Sequence, residues 1–318
     1  MIPRIQIAQL PTPIEELPRL SAVLGGPQLW VKRDDLTGLA FGGNKTRKLE
    51  FVLADAQALG ARTLITVGAA QSNHCRQTAA LAARFGMACI LVLSGNPTQT
   101  SSGNLLLDQL FGAEIVWTNR EERNLILQKT FVNAKENGRE PYLIPLGASD
   151  PIGTLGYMTA FNELLSQKIS ADWIVVASSS GGTQAGLVLG ASLQVWKGKV
   201  LGISIDEPAD YLKGLVAKLA SDASVLAGAH LEINPETVLV NDDYLGRGYG
   251  VMDQPEREAI QLFARHEGLL LDPVYTGRAA AGMIDLIRRG FFKPGDKILF
   301  WHTGGTPALF ADTYRDLL

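Results

Sequence analysis

From Ala61 onward the chain alternates short β-branched runs with longer stretches whose apolar residues recur at helical spacing. Parallel strands joined by crossover helices satisfy that alternation, because the helices cover both faces of the sheet. Arg62 to Val67, Ala88 to Leu93, Glu114 to Trp117 and Tyr142 to Ile144 read as one set of strands, with helices including Arg76 to Phe85 and Asn104 to Phe111 between them. A second set runs through Trp173 to Ala177, Val200 to Ile205 and Lys297 to Trp301, with long alanine-rich helices. Leu49, Val52, Leu53 and Ala56 keep helical spacing too and are expected to dock on the first sheet. The expected fold class is α/β with two domains, each a mostly parallel sheet flanked by helices. Residues 48–159 form the smaller domain; residues 1–47 and 160–318 form the larger, the N-terminal arm returning so that a ligand cleft lies between them.

Polar and glycine-rich segments mark the candidate ligand sites, most of them after predicted strands, where open α/β sheets bind ligands. The first, Phe41-Gly42-Gly43-Asn44-Lys45-Thr46-Arg47-Lys48, puts a lysine on a turn at the mouth of a helix, flanked by two cations. Such a lysine loses its proton more easily than a free one, and the cations can neutralise a phosphate. An amine for an aldehyde beside a phosphate clamp suggests pyridoxal phosphate, although a solvated helix face would carry the same residues. Four further segments are read as following strands or element boundaries. Ser178 to Leu187 contains Ser180, Gly181, Gly182 and Thr183, whose backbone amides, hydroxyls and helix N-terminus suit a phosphate. It matches neither GxGxxG nor GxxxxGK[ST], which counts against dinucleotides and nucleoside triphosphates. Gly68 to Gln77 offers Ser72 and Asn73 as helix caps beside His74 and Cys75. Asp272 to Arg278 carries Tyr275 and Thr276, and His302 to Pro307 carries Thr303. Tyr249 lies in a Gly-Arg-Gly-Tyr-Gly run; a phenol there can act as acid or base or simply pack.

Other classes lose support. A net charge of -3 and a pI near 5.9 give no attraction to nucleic acid or anionic membranes. No apolar run is long enough to span a bilayer, and the proline-rich, acidic N-terminus lacks the layout of a secretory signal. Cys75 and Cys89 form no CxxC, which suits a reducing cytoplasm. There is no HExxH, Cys/His cluster or GxSxG, so no metal or serine hydrolysis is expected.

Taken together, Leu10-Pro11-Thr12-Pro13, Val31-Lys32-Arg33-Asp34-Asp35, the Lys45 segment and His302-Thr303-Gly304-Gly305 resemble the 1-aminocyclopropane-1-carboxylate (ACC) deaminase and D-cysteine desulfhydrase family. The match covers nearly the whole chain and implies fold type II, the tryptophan-synthase-β type. It implies that Lys45 forms the Schiff base and moves the α-proton, and that Lys48 joins the Ser180 to Thr183 loop around the phosphate. Asn73 would face the cofactor's 3-oxygen. Ser72, with the amides after it, would hold the substrate carboxylate, with His74 in the same substrate site. Tyr249 and Tyr275 would line the reacting face. A homodimer acting on a small amino acid is implied as well.

Two positions implied to lie near the pyridine nitrogen separate the branches. ACC deaminases carry glutamate and leucine where this chain has Thr276 and Thr303. A carboxylate keeps the ring nitrogen protonated and the cofactor a deep electron sink, whereas a hydroxyl holds that proton less firmly. Opening a cyclopropane needs the deeper sink; expelling a thiol does not. The resemblance therefore points to β-elimination of D-cysteine to pyruvate, hydrogen sulfide and ammonia. An L-cysteate sulfo-lyase, with Arg247 receiving the sulfonate, is the nearest alternative, followed by an ACC deaminase and by a non-catalytic amino-acid-binding protein.

Overall fold

The computed structural model describes residues 2–97 and 100–315. Ten strands fall into two sheets: β1 (Ile14–Glu16), β2 (Gln28–Arg33), β3 (Thr63–Ala69), β4 (Ala88–Ser94), β5 (Glu114–Thr118), β6 (Pro141–Leu143), β7 (Trp173–Ser178), β8 (Lys199–Ser204), β9 (Leu239–Asn241) and β10 (Lys297–His302). The smaller sheet has the order β5-β4-β3-β6 and is wholly parallel. The larger runs β1-β2-β10-β7-β8-β9 and is parallel except at its edge, where β1 meets β2. Central strands such as β3, β4 and β8 are buried along nearly their whole length, which is why they read as apolar runs rather than as alternating patterns. In the N-terminal arm, β2 pairs in parallel with β10.

The helices are α1 (Pro18–Leu24), α2 (Asn44–Ala58), α3 (Asn73–Arg84), α4 (Gly103–Leu110), α5 (Arg123–Glu136), α6 (Pro151–Ser166), α7 (Gly182–Leu193), α8 (Ala209–Leu226), α9 (Gln254–Glu267) and α10 (Thr276–Arg288), with a last short turn at Asp312–Arg315. On α2, Leu49, Val52, Leu53 and Ala56 pack with Leu64 and Leu91 of the smaller sheet. Helix α6 packs the other way: Leu155 lies with Ala185 and Leu189, and Tyr157 and Phe161 lie with Ile174 and Trp301. Positions 47/48 and 159/160 both fall inside helices, so we propose dividing the chain by sheet, with α6 joining the larger unit from its start.

One expectation needs correction. Asp272 to Arg278 follows no strand; it leaves a loop after α9 and enters α10. The Asp272 carboxylate accepts from the backbone amides of Val274, Tyr275 and Thr276, and so organises the turn that a strand end was expected to supply.

Candidate active site

A cavity of about 500 Å³ opens where the C-terminal ends of both sheets face each other. Its wall takes Gly68 and Ala69 from β3, Ser94 from β4, Ala177 and Ser178 from β7, and Thr303 just past β10. Lys45 enters it from the first turn of α2. The turn before it depends on glycine: Gly42 has φ +62, and a Cβ there would meet the Asp35 carbonyl oxygen at 2.1 Å. Asn44 N donates to Thr303 O (3.0 Å), and Asn44 Nδ2 donates to Thr183 Oγ1 (2.9 Å), which fixes the start of α2 to the larger sheet's loops.

Lys45 Nζ has no hydrogen bond or ion pair among the described residues, and burial lowers its pKa to about 8. The flanking cations are not the cause for which they were singled out. Arg47 points away from the cavity into a buried ionic cluster. There it donates to Asp34 Oδ1 and Oδ2 (2.8 and 2.9 Å) and to Glu163 Oε1 and Oε2 (2.9 and 2.8 Å). Tyr157 and Trp301 also donate to Asp34, and Lys32 Nζ donates to Glu163 at 2.6 Å. Arg47 is therefore neither a phosphate ligand nor part of a solvated face. Lys48 is buried just behind the cavity wall, donating to Gly147 O and Ser149 Oγ, both at 3.0 Å. Burial, then the neighbouring Lys45, pushes its pKa well below the ordinary value.

Ser149 links Lys48 to the expected anion loop, since its Oγ lies 2.8 Å from Ser180 Oγ. Ser180, Gly181 and Thr183 line the cavity, while Gly182 lies behind them. Gly181 (φ +76) leads into α7 and carries no side chain to cap it; Ser149 Oγ accepts from Gly182 N at 3.3 Å, and the positive end of the helix faces the cavity side where an anion would sit. On the opposite side, Ser72 caps α3 by accepting from Cys75 N, and Asn73 Oδ1 accepts from Arg76 Nη1 and Asn104 Nδ2. Arg76 Nη2 also holds Gly42 O (2.8 Å), tying Asn73's position to the lysine turn. His74 lines the wall, its pKa lowered by burial and then by Lys45 and Lys48. Thr66 gives its proton to Ile144 O, so it accepts from His74 Nε2, and Nδ1 is left without a hydrogen-bond partner among the described residues. Cys75 is buried, and burial pushes its thiol up, so it is not a nucleophile.

Tyr249 and Tyr275 meet hydroxyl to hydroxyl at 2.5 Å on the far wall, and burial raises both pKa values so that they stay protonated. The two threonines divide. Thr303 lines the cavity, whereas Thr276 is fully buried, donating to Asp272 Oδ1 and accepting from Asp272 N, both at 2.7 Å. Arg247 stands outside the wall, exposed and paired with Asp253, so it is not the anion receiver envisaged.

Sequence reasoning missed four contributors. The loop after β6 brings Leu146 and Gly147; a Cβ on Gly147 (φ +69) would meet Ser180 Oγ at 2.4 Å and Lys45 Nζ at 3.4 Å, so this glycine keeps space beside the amine. Asn119, Arg120 and Arg123 reach the wall from the end of β5, and Asp206 from the end of β8. Arg278, buried, donates to Glu256, Ile205 O, Gly248 O and Val251 O, and so holds the Tyr249 loop. The only signal for the rim residues was their position after strands; Arg278 stood in a segment already singled out, but without a role.

An amine of lowered pKa facing a cavity, with a helix N-terminus and hydroxyls nearby, suits an enzyme that holds a phosphorylated carbonyl cofactor. A family model described as pyridoxal-phosphate dependent enzyme matches residues 5–304, and the chain belongs to that family; its cofactor is pyridoxal phosphate. The crystal structure of an ACC deaminase homologue superposes with a TM-score of 0.91 at 39% identity, covering 100% of this chain and 97% of that one. An L-serine ammonia-lyase from Rhizomucor miehei (TM-score 0.68, 18% identity, 98% of this chain and 99% of that one) shares the fold, which is fold type II. So does the processed form of threonine deaminase isoform 2 from Solanum lycopersicum (TM-score 0.66, 15% identity, 92% of this chain and 79% of that one). The residues present fit the cofactor. Lys45 offers an amine to its aldehyde, Ser180 to Thr183 with the start of α7 suit its phosphate, and Gly147 leaves space beside the amine.

Proposed function

We propose that the chain is a D-cysteine desulfhydrase, which eliminates hydrogen sulfide from D-cysteine and yields pyruvate and ammonia. Pyridoxal phosphate, when bound, supplies an aldehyde for the substrate's amino group and a conjugated ring that delocalises the electron pair left by the α-proton. Lys45 Nζ, with its pKa lowered to about 8, is suited to take that proton. Ser72 and the N-terminus of α3 are placed to orient the substrate carboxylate. Within the Tyr249–Tyr275 pair one O–H is spent on the other phenol, and the second can be donated to the departing sulfur.

The observation that carries this reading is the neutral Thr303 on the wall, with Thr276 giving its only hydroxyl proton to Asp272. Among the described wall residues the one carboxylate is Asp206, and it pairs with Arg120. Nothing there supplies the strong proton acceptor that cyclopropane opening calls for. Purified holoenzyme given D-cysteine is expected to release sulfide and pyruvate in equal amounts. Release of 2-oxobutyrate from ACC at a comparable rate would overturn the assignment. A second reading, an L-cysteate sulfo-lyase, is favoured by Arg120 and Arg123 on the rim, and sulfite release from cysteate distinguishes it. The proposal includes a homodimer, tested by native mass, and a cytoplasmic location, with which the free, buried Cys75 and Cys89 accord. No helix of the described residues is long and apolar enough to cross a membrane.

A further inference from the structure

The cavity rim carries an imbalance of charge that the elimination itself does not explain. Arg120 and Arg123 both line it, from the loop after β5 and the first residue of α5. Against them the described wall places one carboxylate, Asp206. Arg120 Nη2 lies 3.5 Å from Asp206 Oδ2, a long contact between an exposed arginine and a mostly buried carboxylate, which a better anion can displace. Asp206 Oδ1 has no hydrogen-bond partner among the described residues. Arg123 has no ion pair among them. Glu121 and Glu122 follow in the same loop but lie outside the wall, and the Glu122 carboxylate is held by Asn119 Nδ2 at 2.7 Å. The Arg120 guanidinium stands 6.0 Å from the centre of the Tyr249 ring, whose hydroxyl meets Tyr275. The spare positive charge therefore faces the same side of the cavity as the two phenols.

We propose that Arg120 and Arg123 form a subsite for negative charge on the β-substituent of the amino-acid substrate, and that these two residues set the preference among β-substituents. This deepens the lyase reading and rests on it only in taking the ligand to be a β-substituted amino acid. The subsite receives an anion already present, such as a sulfonate or carboxylate, and the charge that develops on a departing thiolate. Arg120 exchanges Asp206 for the ligand, and Arg123 adds a charge that has no ion-pair partner among the described residues.

The test uses holoenzyme and an isosteric pair differing in one charge, aspartate and asparagine, in both configurations, with affinity read from the change in cofactor absorbance. Wild type is expected to bind aspartate more tightly than asparagine, by roughly tenfold or more, the scale of one hydrogen bond to a charged group. That preference should shrink as salt is raised, because the rim is exposed. Arg120→Ala combined with Arg123→Ala should abolish the preference by weakening aspartate alone, leaving asparagine within about twofold. Arg120→Lys should retain part of it, and Arg247→Ala, which removes an arginine outside the wall, should leave it intact. Equal affinity of wild type for the two isosteres, failure to bind either, or parallel losses for both in the double variant would overturn the subsite. Sulfide release from D-cysteine is scored separately, so an intact aspartate preference in a protein that releases no sulfide rejects the desulfhydrase and keeps the subsite.

Discussion

Lys45 and Arg47 leave the same turn of α2, two residues apart, into opposite surroundings. Arg47 meets two carboxylates and ends in a cluster that joins β2, α2, α6 and β10, with Asp34 accepting from Arg47, Tyr157 and Trp301. Burial alone would raise Asp34, but Arg47 and Lys32 hold it below the usual carboxylate range. Lys45 meets no carboxylate among the described residues, and burial leaves its proton loose. Lys48, the next residue, is as buried as Arg47, yet its hydrogen bonds go to neutral oxygens. Charge that is matched fixes the fold, whereas charge left unmatched beside a cavity is available to a ligand.

The sharpest way to break that contrast is Lys45→Ala. It should abolish covalent cofactor attachment and cost at least the 10²–10⁴-fold of a lost proton-transfer group, with no loss of stability by chemical denaturation. A variant that turns over normally rejects the mechanism. Arg47→Ala should do the reverse: Asp34 is left buried with its main cation gone, a loss of about 3–5 kcal/mol in unfolding free energy, while the folded fraction still attaches cofactor. Lys48→Met lies between, and should weaken cofactor retention about tenfold, measured by dialysis against a carbonyl scavenger, with a smaller stability change than Arg47→Ala.

The smallest effect is on pH dependence. Only the free amine adds to an aldehyde, so capture of cofactor by the apo-protein should quicken as pH rises through about 8 and then level off. The same shift acts on folding. Between about 8 and the ordinary lysine value of 10.5 the unfolded chain holds a proton that the folded chain does not, so Lys45's contribution to stability rises with pH across that window. A capture rate that is flat from pH 7 to 9 would show that the amine is not the titrating group.

Strands were legible in the sequence to within a residue or two wherever both faces are buried, as in β4 and β7, because such strands are continuous apolar runs bounded by turns. β2 was not, since it ends in Lys32 and Arg33, and the partner that makes the buried Lys32 acceptable is Glu163 on a distant helix. The same blindness hid the fate of Arg47, whose partner Glu163 lies 116 residues away. Glycine-rich loops were found because glycine marks a backbone requirement locally. The rim arginines and Asp206 carry no such mark, since only pairing across the cavity gives them meaning.

Helix α2 is fastened at its two ends to different partners. Its first residue hydrogen-bonds to Thr303 and Thr183 beside the larger sheet, while its later turns pack against the smaller one. Any rocking of one sheet against the other would turn about that first fastened residue. A point beside a pivot sweeps a short arc, so Lys45 Nζ would hold its aim on the cavity while residues further from that pivot moved more.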